Sequence, residues 1–187
     1  MPHRPTNSRP TNSRPMPMDP IAEARRQWIE HGWTDAVPGM TLVTSVNRAQ
    51  QLLVAPVEAC LRPFSLSFAR FEVLRLLAFT RDGRLPMKSA VKRLQVHSTS
   101  VTSTVDRLVR DGLVTREQHP TDGRATVLAI TDAGRELVER ATVALNERAF
   151  TGLDIDDEDA AELVRLIARM RKRAGDFEDP RPVAEPL

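Results

Sequence analysis

Residues 94–114 read LQVHSTSVTSTVDRLVRDGLV, and the run STSVTST at 98–104 decides the fold. Six of its seven residues carry a hydroxyl; only Val101 does not. Serine and threonine are mediocre helix formers, because their hydroxyls compete for backbone hydrogen bonds. Yet Val101, Val105, Leu108 and Val109 fall at i, i+4, i+7 and i+8, the spacing of one helix face. The stretch therefore predicts a helix from about 98 to 111, held down by its apolar residues, with hydroxyls filling its first two turns. Gly112 stands where a left-handed residue ends a helix.

Upstream, MKSAVKRLQ (87–95) predicts a short helix, RDGRLP before it a loop, and FARFEVLRLLAFT a helix capped by Ser67. Downstream the period changes. LVTREQ and RATVLAI predict two strands joined through HPTDG, where Asp122–Gly123 is a hairpin turn signal. Thr131 is the expected N-cap of a helix over 132–150. Asp156 caps another over 157–173, with Leu163, Leu166, Ile167 and Met170 as its apolar stripe and three acids in its first turn. Nearer the start, DPIAEARRQWIEHGW predicts a helix capped by Asp19, opened by Pro20 and closed by Gly32, with Ile21, Ala24, Trp28 and Ile29 on one face. Residues 39–61 are strongly apolar, with apolar residues on more than one face, which predicts a helix buried on several sides and kinked or ended at Pro56.

A short helix, a tight turn, a second helix and a β-hairpin make a winged helix-turn-helix. The expected fold is mainly α with one β-hairpin wing and a helical dimerisation region drawn from both chain ends. In this architecture the second helix enters the major groove with its N-terminal residues at the bases. Short hydroxyl side chains there allow close approach and donate to phosphates and base edges. The candidate DNA contacts are Ser98, Thr99, Ser100, Thr102, Ser103, Thr104 and Arg107 on the helix, and Arg116 and Arg124 on the wing, with Asp122 orienting Arg124. The same hydroxyls taken alone would also suit an ordinary solvated helix.

The 187 residues, 41% of them hydrophobic, suffice for one domain with arms. The net charge is only +2, but residues 81–124 hold nine bases and five acids, a local +4 that hints at an anionic partner. Residues 1–18, in which PTNSR occurs twice, are expected to form a disordered tail. The expected divisions are then N-terminal helices over 19–61, the DNA-binding lobe over 62–131, dimerisation helices over 132–173 and a flexible tail over 174–187. No apolar run approaches the ~18 residues of a membrane span. A single cysteine, Cys60, excludes an internal disulfide framework and fits a cytoplasmic protein.

Enzyme classes find no support. No two of the eight glycines are separated by one residue, so neither dinucleotide nor nucleophile-elbow motifs exist. The four histidines and Cys60 show no metal-ligand spacing, and DIDDED at 154–159 lacks the glycine of a calcium loop; no cofactor or metal is expected. Two other readings stay open: a redox-responsive regulator sensing through Cys60, although a lone buried thiol is commoner, and a helical adaptor that binds no DNA.

Residues 100–138 resemble the MarR family of bacterial transcription regulators. The resemblance is carried by Thr102 with Asp106, Arg107 and Leu108, by Gly112–Leu113–Val114 with Arg116, by Asp122 and Arg124 at the wing tip, and by Ile130, Thr131 and Gly134. Gln95 and Gly123 depart from it, where such proteins often have Gly and Arg. The resemblance covers about 39–173 and implies a homodimer on a pseudo-palindromic double-stranded DNA operator, most simply a ligand-released repressor. A finer resemblance, to urate-responsive members with an extra N-terminal helix, implies that Trp28, Glu72 and Arg124 bind a small aromatic or anionic effector. Trp28 reads more simply as core packing of the first helix, and Glu72 equally as a surface acid paired with Arg70 or Arg75.

Overall fold

The computed structural model describes residues 16–94, 98–118 and 125–177. Most of the expected N-terminal tail, the turn containing Gln95, the wing tip with Asp122, Gly123 and Arg124, and most of the expected C-terminal tail lie outside them. The chain divides into two compact units, one ending at Ala59 and one starting at Cys60.

The N-terminal unit begins with α1 (Pro20–Glu30). Asp19 caps it by accepting the Ile21 amide at 2.9 Å, and Gly32 takes φ +77° just past its end. Trp28 is half-buried, packed edge to face on Trp33 at 5.4 Å, whereas Ile29 is exposed. Arg26 is bracketed by Glu23 and Glu30, and its hydrogen bonds, with one from Gln27, pull the Glu23 carboxyl down to about 2. A short 3-10 turn (Thr34–Ala36) leads into α2 (Val37–Leu61). Pro56 lies inside α2 without ending it; the helix runs on for five more residues. The expectation that this helix is buried on several sides does not hold within one chain: Leu42, Val43, Val46, Leu52 and Leu53 are exposed. The apolar pattern was real, but nothing described in the chain covers it.

The second unit is a three-stranded sheet packed among helices. After a 3-10 turn (Arg62–Phe64), Ser67 caps α3 (Phe68–Phe79) by accepting the Arg70 amide. The segment expected to be a loop contains a strand, β1 (Arg84–Pro86), which leads into α4 (Met87–Leu94) and α5 (Ser98–Arg110). The hairpin strands are β2 (Val114–Gln118) and β3 (Thr126–Ile130). The antiparallel order is β1-β3-β2, with Leu85 opposite Leu128 and Arg116 opposite Leu128 from the other side. Thus the wing is anchored as a three-stranded sheet. Strand β1 escapes a periodicity argument because three residues are too few to alternate, and its Pro86 is tolerated because the strand is an edge.

Thr131 caps α6 (Asp132–Leu145) as expected, but the α-helix stops at Leu145 and a π-turn (Asn146–Phe150) completes the segment. Asp156 caps α7 (Asp157–Arg173) through the Asp159 amide at 2.8 Å. The core joins α3, α5, α6 and the sheet through Leu61, Leu74, Leu77, Leu108, Leu128 and Leu145, all fully buried. No residue of α7 is buried. Among the described residues, no single helix is long and apolar enough to cross a membrane.

Candidate nucleic-acid interface

The site begins with the valine spacing. Val101, Val105 and Leu108 are at most 1% exposed and pin α5 to the core. At ~100° per residue this places Ser100, Ser103, Arg107 and Arg110 in one strip on the opposite side, and all four are exposed. Thr102 is exposed beside the strip and Thr104 is half-buried at its edge; Ser98 and Thr99 occupy the first two helical positions. Arg110 was missed in the sequence reading, although its spacing of seven from Ser103 and three from Arg107 was the available signal. Lys88, Lys92 and Arg93 of the preceding α4 are exposed as well.

The far end of α5 is fixed by backbone chemistry. Gly112 adopts φ +71°, and the Leu113 amide reaches back to the Leu108 carbonyl at 2.9 Å while the Gly112 amide bonds Val109. The Thr131 hydroxyl then does two things at once: it donates to the Gly112 carbonyl at 2.9 Å and accepts the Gly134 amide at 3.0 Å. One oxygen therefore links the end of α5 to the start of α6. Gly134 is required because a Cβ there would stand 2.2 Å from the Leu113 carbonyl oxygen. These contacts give physical content to the Ile130, Thr131 and Gly134 pattern.

On the sheet, Arg116 is exposed and pairs with Asp106 of α5 at 2.7 Å. Arg84 of β1 pairs with Glu117 of β2 across the intervening strand. Asp106 was read in sequence only as a motif position; the structure makes it the partner of a candidate DNA contact. Asp122 and Arg124 lie outside the described residues.

The candidate effector residues are distributed as follows. Trp28 belongs to the N-terminal unit and Glu72 to the second. Neither arginine suggested as a partner for Glu72 serves it: Arg70 pairs with Asp111, and Arg75 with Glu139 at 2.9 Å. Glu72 is half-buried on α3, and burial pushes its carboxyl pKa up. Cys60 is a free thiol and half-buried. Among the described residues no cluster of His, Cys, Asp and Glu could hold a metal ion.

Comparison with known proteins fits this geometry. Residues 64–125, from the end of the 3-10 turn before α3 to the wing, match a family model described as MarR family. The structure of Sco5413, a MarR family transcriptional regulator from Streptomyces coelicolor, is 47% identical, with a TM-score of 0.68 over 76% of this chain and 99% of that one. The chain belongs to the MarR family of transcriptional regulators. A second structure, the transcriptional repressor CouR bound to a 23-mer DNA duplex, is 28% identical, with a TM-score of 0.60, covering 68% of this chain and 90% of that one. The transcriptional repressor YetL of Bacillus subtilis (strain 168) is 28% identical over 115 residues, 61% of this chain and 69% of YetL. The finer likeness to urate-responsive MarR proteins gains no support from these matches.

Proposed function

We propose that this MarR-family chain is a ligand-released repressor that binds a pseudo-palindromic DNA operator as a homodimer, reading bases with α5. The observation that carries this reading is the exposed strip of Ser100, Ser103, Arg107 and Arg110, backed by the buried Val101, Val105 and Leu108. The strip offers hydroxyls at the helix start, where backbone amides favour an anion, and guanidiniums further along. Thr102 and Thr104 extend the polar surface of α5, and Ser98 and Thr99 of its first turn are further candidate contacts. Lys92 and Arg93 of α4 suit the phosphate contacts of the first helix in such a motif. Arg116 exchanges Asp106 for a phosphate at little cost, since an exposed ion pair is worth about 1 kcal/mol or less. Arg124, oriented by Asp122, takes the minor groove. CouR, with DNA bound in its structure, supports the assignment by likeness. Two α5 helices one turn of DNA apart require two chains. The exposed apolar residues of α2 and α7 supply the surface for joining them.

For release, Trp28 offers a flat ring for an aromatic effector, Arg124 a charge for an anionic one, and Glu72 an unpaired acid. An effector that took Arg124 from the DNA would weaken operator binding, and by linkage DNA would weaken effector binding by the same factor. The test is a gel shift with the chain's own upstream region, followed by titration with urate and salicylate for wild type and Trp28→Ala. Retarded wild-type complex, released by one anion in wild type but not in the variant, supports both parts. Failure to retard that DNA counts against the repressor. Equal release in both chains removes Trp28 from the effector site.

A further inference from the structure

We propose that Arg70 is a positioning residue for DNA reading, tying the corner before α3 to the C-terminal end of α5; this rests on the assignment of α5 as the reading helix. The sequence places two charges where their own helices disfavour them. Arg70 is in the first turn of α3, at the positive end of that helix's dipole, and Asp111 directly follows α5, at a negative end. Neither position is explained locally. The fold explains both: the Arg70 Nη2 binds the Asp111 carboxylate.

The same guanidinium makes a second connection. Its Nη1 donates to the carbonyl of Ser65 at 2.8 Å. Ser65, at the end of the 3-10 turn after α2, is the one non-glycine with positive φ (54°) among the described residues. Left-handed backbone is strained for a non-glycine residue and persists only where surrounding contacts hold it. The Arg70 side chain is only 14% exposed while Asp111 is 44% exposed, so the fork is held in place from its arginine side. Its Nε is buried without an acceptor, which leaves the guanidinium two useful nitrogens, one for each of the groups it joins.

The end of α5 is thereby fixed from two sides, by Thr131 through Gly112 and by Arg70 through Asp111. Fixing that end sets the tilt at which Ser100 and Ser103 meet the groove. Base-edge hydrogen bonds need that placement, whereas phosphate contacts carry affinity without sequence information. Loss of the tie should therefore reduce discrimination more than general DNA affinity.

The test uses the full-length chain and a duplex selected from random sequence by the wild-type protein, with a scrambled duplex as control. Arg70→Ala, Asp111→Asn and the double variant are compared at several salt concentrations, with far-UV circular dichroism as the check on folding. The expected result is a loss of about tenfold on the selected duplex, the scale of one mismatched base pair. Binding to the scrambled duplex and the salt slope should not change, and the double variant should be no worse than the worse single one. Should Arg70→Ala fail to fold, Asp111→Asn decides alone, since it keeps the side chain's shape. Unchanged binding of the selected duplex, equal losses on both duplexes, or additive losses would each overturn the positioning role. If selection with wild type enriches no sequence, the reading-helix assignment itself falls, and this proposal with it.

Discussion

At Gly134 the constraint is a single missing methyl group. A Cβ would lie 2.2 Å from the Leu113 carbonyl oxygen and 3.0 Å from Ile130, and the oxygen belongs to backbone that cannot turn aside. Gly134→Ala should therefore destabilise the chain by roughly 1–3 kcal/mol despite alanine's better helix propensity. Urea denaturation checks this, and an unchanged or raised midpoint would contradict the close approach. Glu72 poses the opposite problem, a carboxyl with too few neighbours. Burial raises its folded pKa above the unfolded value, so the folded state holds its proton more tightly. Its ionisation costs nothing in acid, below the unfolded pKa. The cost grows as pH rises through the carboxylate range and is complete above the raised folded pKa. Glu72→Gln should then stabilise at neutral pH and leave acid stability alone; denaturation midpoints at the two pH values decide, and equal shifts at both would rule out the desolvation argument. The sequence could not foretell this environment, because Arg70 and Arg75, two and three positions from Glu72 on the same helix, turn to acids forty-one and sixty-four positions away from themselves.

Among the elements, α5 has one buried side and one exposed side, and under the proposed function these would divide stability from recognition. Leu108→Ala should cost about 2–5 kcal/mol, since the side chain is fully buried. Ser103→Ala should stay within about 0.5 kcal/mol of wild type yet alter base preference at one position of each half-site. Thermal melts paired with selection from randomised operators measure the two effects; a Ser103 variant with unaltered preference would remove that residue from the readout. The buried and exposed sides were legible in sequence because valine spacing and hydroxyl clustering are both local. Caps were legible for the same reason: Asp19, Ser67, Thr131 and Asp156 each accept the amide their position implies. Strand β1 was not, since its pairing partner β3 is some forty residues away and gives no local signal. The π-turn after Leu145 likewise continues an apolar helical pattern that gives no warning of a changed hydrogen-bond register.

For the whole molecule, the sequence revealed how apolar α2 and α7 are, but could not say which chain covers them. Leu163, Leu166, Ile167 and Met170 are all more than a third exposed. Deleting 157–187 should abolish tight operator binding by leaving a chain that sediments as a monomer. A truncated chain that remains a dimer would place the interface in α2 alone. The candidate contacts on α5 could be named from sequence because neighbours in sequence are neighbours on one helix. The proposed effector residues Trp28, Glu72 and Arg124 are far apart in the chain, so no local signal bears on whether they meet.

The uncovered faces also make abundance a physical variable. Under the proposed dimer, every chain is a ligand for every other, and mass action ties folding to assembly. Dilution would lower the melting temperature, and a tenfold rise in concentration would add up to about 1.4 kcal/mol per dimer to the assembled state. Operator occupancy would then climb more steeply than in proportion to the number of chains whenever free monomer predominates. The apolar stripes left bare on α2 and α7 would give the switch a threshold in copy number, before any effector is present.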